Sequence, residues 1–287
     1  MDYVTPAEVI AESVQLARKK TGLSVGSMLL RGILAGAFLG YATSLSITVG
    51  TQGLPPIAGA ILFPVGFVML VLLGLELATG NFALLPLGVM AKTVRGSELA
   101  RNWTWVYFGN LIGSVLYAAL FFLAITNCGT NDGGSVAVQV RLIAQKKTLA
   151  YLAGGGSGWA TAFIRAILCN WMVTVGTLLA LVSRSTIGKI GAMWLPILMF
   201  FALGYEHSIV NMFVIPAGMF LGAPVTLRQW WLWNQVPVTL GNVVGGVVCT
   251  GVALYAAHAG QPTKAASAQA AASAVEPVLT QQPELAS

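Results

Sequence analysis

The sequence predicts an all-α integral membrane protein, in which six transmembrane helices form an inverted repeat of three plus three. Of 287 residues, 56% are hydrophobic and 8% are charged, too few charges to solvate the surface of a soluble domain. About 20 apolar residues span a bilayer as a helix. Six stretches are long enough, near 27–49, 57–91, 103–126, 159–182, 190–221 and 235–258. None alternates with the period of two that is typical of membrane barrel strands.

An internal repeat relates the first three stretches to the last three. An acid, an asparagine and a proline, spaced five residues apart, occur twice with an offset of 130 residues. They are Glu76, Asn81 and Pro86 in the second stretch and Glu206, Asn211 and Pro216 in the fifth. Each half contains three stretches, an odd number, so the second half enters the membrane from the opposite face. Inverted repeats of this kind are common among transporters.

The second and fifth stretches are too long for one simple crossing, so we expect both helices to be broken. The expected polar turns lie at 79–81 and at 208–211, and they must line a cavity because hydrocarbon cannot satisfy a freed backbone. Carboxylates inside a membrane are costly and usually functional. Glu76 and Glu206 are predicted to support the breaks by accepting hydrogen bonds from freed backbone amides, with Asn81 and Asn211 as further polar support.

The two ends of the chain differ from its middle. Residues 1–24 begin with a capping box and predict an amphipathic helix on the cytoplasmic membrane surface. Residues 25–258 form the predicted transmembrane domain, and residues 259–287 a disordered cytoplasmic tail. The lysine and arginine distribution places both termini in the cytoplasm and the protein in the cell membrane. The net charge of +6 reflects this topology, so no nucleic-acid partner is expected.

The longest connection, residues 127–158, lies outside the cell in this topology. It carries Arg141, Lys146 and Lys147, which suggests a task such as attracting anions. Its glycine-rich run at 154–158 lacks the lysine and hydroxyl of a phosphate cradle and indicates a flexible linker. The three cysteines are far apart, so neither a metal site nor a cofactor is expected.

His207 is the only histidine within an apolar stretch, and it lies beside the intramembrane Glu206. The segment at 204–212 that contains it closely resembles the signature of the formate/nitrite transporter family. Three further motifs occur in the family's order, at 107–110, 168–171 and 238–242. The resemblance covers roughly residues 1–258, and it implies an aquaporin-like protomer that assembles into a homopentamer with one pore per protomer.

The resemblance also implies roles for individual residues. His207 would hydrogen-bond the permeating anion or acid, Thr79 would face it, and Asn170 would lie near the outer side of the pore. The implied outer constriction is Phe200 with Val173, and the inner one is Phe63 with Phe67 and Leu77. The chain departs from the family at Ala78, where relatives often have a bulky aromatic, and at Gly154, where they have a vestibule lysine. Lys146 and Lys147 are the candidates to replace that lysine.

The implied function is transport of a small monovalent weak-acid anion, with formate favoured over nitrite. The anion would cross together with a proton or as the neutral acid. An idealised bare anion entering a medium of low dielectric costs of order 20 kcal/mol, reduced to several by relaxation. Protonating a carboxylate at neutral pH costs about 4 kcal/mol. The alternative is an aquaporin-like facilitator of small neutral solutes, although no Asn-Pro-Ala tripeptide occurs. An enzyme is not expected, since His207 and Glu206 lack a nucleophilic or metal constellation.

Overall fold

The computed structural model describes residues 2–260, in which every regular element is helical. The predicted tail therefore lies, from residue 261 onward, outside the described residues. The helices are α1 (Pro6–Thr21), α2 (Val25–Gly50), α3 (Pro56–Leu62), α4 (Pro64–Leu72), α5 (Ala78–Met90), α6 (Gly96–Ile125), α7 (Gly134–Ala153), α8 (Gly155–Leu179), α9 (Thr186–Ala202), α10 (Ser208–Phe220) and α11 (Leu227–His258). Helix α11 includes two π-helical segments, Trp231–Gln235 and Gly245–Val252. Four helices, α2, α6, α8 and α11, are long and apolar enough to cross a membrane.

The remaining apolar helices are shorter, and both expected interruptions are present. One separates α4 from α5 at residues 73–77, and the other separates α9 from α10 at residues 203–207. Gly74 and Gly204 have positive φ angles of 63° and 67°, which glycine adopts without steric cost. The expected turns at 79–81 and 208–211 were placed too late, because those residues form the first turns of α5 and α10.

Small residues allow the long helices to approach closely. A side chain at Gly113 of α6 would collide with the carbonyl of Ile33 in α2. In the second half, a side chain at Gly245 of α11 would collide with the carbonyl of Ile167 in α8. Glycine at such contacts lets two backbones pack directly, as is common between membrane helices. Each half thus contains one closely packed helix pair.

The connection at 127–158 is mostly helical, and the expected flexible linker at 154–158 is wrong. Helix α7 ends at Ala153 and α8 begins at Gly155, whose φ of 55° makes the corner between them. A side chain at Gly158 would collide with the carbonyl of Tyr151, so the glycines form a tight corner. Helix α7 buries a stripe of residues with helical spacing, namely Ala137, Val140, Ala144, Thr148 and Tyr151.

Helices α1 and α7 occupy equivalent places in the two halves. Both contain the pattern Ala-x-Lys-Lys-Thr, at 17–21 and 144–148. A side chain added to Gly88 of α5 would meet Ala17, and one added to Gly218 of α10 would meet Ala144. Helix α1 therefore packs against a broken helix as α7 does. The repeat visible in the structure begins before α2.

Candidate functional site

Each helix break is held by one buried asparagine. Asn110 Oδ1 accepts a hydrogen bond from the Ala78 N–H at 2.9 Å, and its Nδ2 donates to the carbonyls of Gly32 and Glu76, both at 2.9 Å. The second break repeats this arrangement through Asn242. Its Oδ1 accepts from the Ser208 N–H at 2.9 Å, and its Nδ2 donates to the carbonyls of Ala166 (2.8 Å) and Glu206 (3.0 Å). The two asparagines satisfy backbone groups that the interruptions set free.

The two intramembrane acids form matching buried ion pairs. Glu76 accepts from Lys20 Nζ at 2.8 Å and from Asn81 Nδ2 at 2.8 Å. Glu206 accepts from Lys147 Nζ at 2.8 Å and from Asn211 Nδ2 at 2.7 Å. The expectation that backbone amides supply these hydrogen bonds is wrong, because the side-chain donors occupy the carboxylates. Each acid instead connects a broken helix to the helix that carries its lysine.

A second pair of asparagines binds the main chain of the two lysines. Asn102 Nδ2 donates to the carbonyl of Lys20 at 3.2 Å, while its Oδ1 accepts from Asn81. In the other half, Asn234 Nδ2 donates to the carbonyl of Lys147 at 2.9 Å, and its Oδ1 accepts from Asn211. Hence each lysine is held through both its side chain and its main chain.

Sequence reasoning missed Lys20 and left the choice between Lys146 and Lys147 open. The structure brings Lys147 to Glu206, whereas Lys146 is exposed. The repeated Ala-x-Lys-Lys-Thr pattern could have identified both ion-paired lysines, since Lys20 and Lys147 occupy the same position in it.

His207 and Thr79 meet between the two breaks. Thr79 Oγ1 and His207 Nε2 are 3.1 Å apart, and both residues are buried. His207 is also the N-cap of α10, because its Nδ1 accepts from the N–H of Val210 at 3.2 Å. In the neutral ring the proton therefore lies on Nε2, which points at Thr79. The equivalent N-cap of α5 is Leu77, so only one break carries an imidazole.

Asn170 connects this pair to the other elements. Its Nδ2 donates to the carbonyl of Thr79 at 3.1 Å and to the carbonyl of Asn242 at 2.6 Å. Its Oδ1 is buried and has no hydrogen-bond partner within the described residues. Asn170 can therefore accept one or more further hydrogen bonds through Oδ1.

Aromatic side chains pack on one side of His207. The Phe200 ring lies parallel to the imidazole, with centroids 5.7 Å apart and an interplanar angle of 21°. Phe63 contacts Phe200 edge to face at 5.7 Å. Phe63 of the implied inner group thus contacts Phe200 of the implied outer pair. Phe63, Phe67, Leu77, Val173 and Phe200 are all buried.

A vestibule of about 390 Å³ leads toward the first break, and Phe67 and Leu77 are in its wall. Its charged lining consists of Lys19, Lys20, Arg31, Lys189 and one acid, Glu76. Four cations against one carboxylate give this cavity a positive potential, which concentrates anions. Among the described residues, no group of three or more metal-ligating side chains occurs.

A buried polar pair between two broken apolar helices, approached by a charged vestibule, is the arrangement of a membrane transport protein. The family model "Formate/nitrite transporter" matches residues 7–256. The chain is 37% identical over 262 residues to a "Probable formate transporter" of Methanothermobacter thermautotrophicus, covering 86% of this chain and 94% of the relative. The chain belongs to the formate/nitrite transporter family.

Solved structures agree with this assignment. An "FNT family ion channel" superimposes with a TM-score of 0.77 at 28% identity, covering 88% of this chain and 99% of that one. A "Pentameric formate channel with formate bound" gives a TM-score of 0.66 at 28% identity, covering 81% of this chain and 97% of that one. The protein is thus a membrane protein whose described residues have the helical fold of these channels.

Proposed function

We propose that the protein carries a small monovalent weak-acid anion, formate or nitrite, along a path that passes between Thr79 and His207. The contact between these two side chains carries the proposal. Both side chains are buried, and the contact joins the first turn of α5 to the N-terminus of α10, where His207 supplies an imidazole. The similarity to formate transporters and to a formate-bound channel supports formate as the first candidate.

Entry of the anion follows from the vestibule charge. Lys19, Lys20, Arg31 and Lys189 raise the local anion concentration without binding it tightly, since three of them have no carboxylate partner among the described residues. Lys20 is neutralised by Glu76. The excess positive charge of the vestibule therefore comes from Lys19, Arg31 and Lys189.

Passage beyond the vestibule favours the neutral acid. Phe67 and Leu77 precede the polar pair, and Phe200, Phe63 and Val173 are proposed to narrow the far side. Protonation, at about 4 kcal/mol, costs less than the idealised transfer of a bare anion into a medium of low dielectric, which is of order 20 kcal/mol before relaxation. Proton-coupled transport, or transport as the neutral acid, is therefore the proposed mode.

His207 is proposed to donate a hydrogen bond to the substrate through Nε2–H. Its Nδ1 accepts from the N–H of Val210, so a ring protonated on both nitrogens would lose that cap. The proton that accompanies the anion is for this reason assigned to vestibule water. A protonated acid can in turn donate to the unpaired Oδ1 of Asn170.

The architecture that serves this function is proposed as six spans in an inverted repeat of three plus three. The matching hydrogen bonds of Asn110 and Asn242 support it, as does the pairing of α1 with α7. The protomers are proposed to form a homopentamer in the cell membrane, with both termini in the cytoplasm. Residues 1–24, 25–258 and 259–287 remain the proposed divisions of the chain.

Uptake of formate and of nitrite into proteoliposomes, followed by stopped flow at two pH values, tests this proposal. Uptake should rise as the external pH falls, and His207→Ala should slow it. Lys146→Met, a change at an exposed lysine outside the vestibule, serves as the control. Equal uptake rates for His207→Ala and the wild type across a pH gradient would show that His207 has no role in transport. A protein that passes glycerol but neither anion would be a facilitator of neutral solutes.

A further inference from the structure

A second cationic cavity, of about 570 Å³, lies on the opposite side of the last turn of α1 from the vestibule. We define the basic cleft by three cations and one acid, Arg18, Lys92, Arg95 and Glu98. Arg95 is paired with Glu98 at 2.9 Å. No acid among residues 2–260 pairs with Arg18 or Lys92. Two positive charges in the basic cleft are thus left for a ligand.

Lys92 has a backbone conformation that its side chain disfavours. Its φ is 57°, in the left-handed region where a residue other than glycine costs about 1–2 kcal/mol. It follows the end of α5, where the N–H of Lys92 donates to the carbonyl of Val89 and the N–H of Thr93 donates to the carbonyl of Gly88. This is the helix ending that ordinarily takes glycine.

The other half of the molecule uses glycine at the same place. Gly222 follows the end of α10 with a φ of 91°. Its N–H donates to the carbonyl of Met219, and the next N–H, of Ala223, donates to the carbonyl of Gly218. The two endings are 130 residues apart and have the same hydrogen bonds. A lysine at the position where its counterpart is glycine points to a function for the ammonium group.

The surroundings of the basic cleft define the chemistry of its ligand. The cleft lies between the end of α5 and the start of α6, beside exposed apolar surface at Val89. Arg101, in the second turn of α6, adds a further positive charge. Guanidinium and ammonium groups together bind phosphate oxygens well. At the edge of a membrane, a basic pocket of this kind suits an anionic headgroup.

We infer that the basic cleft binds a phosphate-type oxyanion through Arg18 and Lys92. An anionic phospholipid headgroup and free inorganic phosphate share this chemistry. Neither ligand is a transported substrate in this inference. The basic cleft is separated from the vestibule by the turn of α1 that carries Lys20.

Native mass spectrometry of the full chain, incubated with phosphatidylglycerol or with phosphatidylcholine, tests the lipid source. Titration calorimetry of the delipidated protein with inorganic phosphate tests the free ion. Lys92→Gly is the diagnostic variant, because it relieves the backbone and should leave the melting temperature unchanged or raised. Lys92→Gly should nevertheless weaken oxyanion binding by about fivefold, and Arg18→Gln should do the same. Each cation near an anionic membrane surface raises the binding constant by about that factor.

Lys146→Gln removes an exposed positive charge elsewhere and should change neither measurement. Preferential retention of phosphatidylglycerol identifies a lipid site, and phosphate binding without it identifies a site for a soluble oxyanion. The inference fails if Lys92→Gly and Arg18→Gln bind both probes as the wild type does. It also fails if Lys146→Gln lowers binding as much as they do.

Discussion

The two buried ion pairs differ in their support, which predicts unequal effects of losing each lysine. Lys20→Met leaves Glu76 with one neutral donor, Asn81. Lys147→Met leaves Glu206 with three neutral donors, Asn211 at 2.7 Å, Tyr151 at 2.8 Å and Asn234 at 3.4 Å. The lysine side chains are comparably enclosed, with 13% and 18% of their surface exposed. The difference in the neutral donors therefore decides the outcome.

Removing one partner of a buried pair costs about 3–5 kcal/mol of unfolding free energy. We expect Lys20→Met to fall within that range. A hydrogen bond to a charged group contributes about 1.5–3 kcal/mol, and the Tyr151 hydroxyl continues to donate to Glu206 in Lys147→Met. The loss for Lys147→Met should therefore be smaller by about 1.5 kcal/mol.

Unfolding in mixed micelles of increasing denaturing detergent, followed by tryptophan fluorescence, measures both losses. Lys146→Met controls for the loss of an exposed lysine and should have little effect. The double variant Lys20→Met with Glu76→Gln should recover most of the stability, because it leaves no unpaired charge. A larger loss for Lys147→Met than for Lys20→Met, or no recovery in the double variant, would refute this reasoning.

Two further predictions concern the first residues of the chain and the helix contacts. The hydroxyl of Ser183 and nearby backbone N–H groups donate to Asp2, which lowers the pKa of that carboxyl below its ordinary value of 3.8. The ionised Asp2 therefore stabilises the folded N-terminal segment above pH 3.8, and this stabilisation is lost as the pH falls through the folded-state pKa. At neutral pH, Asp2→Asn should speed amide hydrogen exchange at residues 3–10. In acid, the exchange rates of the variant and the wild type should converge. Gly113→Ala, whose methyl group would collide with the carbonyl of Ile33, should lower the unfolding free energy by about 1–3 kcal/mol or more. Gly26→Ala in the first turn of α2 meets open space and should not lower the unfolding free energy. Equal unfolding curves for the two alanine variants would contradict the packing argument.

The fold class could be predicted from the sequence because apolar length and an internal repeat are local or periodic signals. The positions of the breaks were displaced by several residues for a physical reason. Gly74 and Gly204 make the turns, whereas the polar residues at 79–81 and 208–211 lie in the first turns of α5 and α10. Polarity therefore marked the start of the next helix and not the turn itself.

The sequence indicated the pair at the centre of the candidate site, but it did not indicate the lysine that pairs with the first acid. His207 and Thr79 followed from the resemblance. Lys20 was missed because α1 was interpreted as a surface helix, whereas its last turn reaches the buried Glu76. Helix α7 was interpreted as a loop because its cations obscured a buried stripe of helical spacing.

The grouping of hydrogen bonds has a consequence for biogenesis. Every bond described above for the first break joins residues between 20 and 110, and every bond for the second joins residues between 147 and 242. The contacts of Thr79 with His207 and with Asn170 instead cross between the halves. During synthesis the first break can be completed before the second half emerges from the ribosome. The contact between Thr79 and His207 requires both halves, so it can form only after the second half has been synthesised.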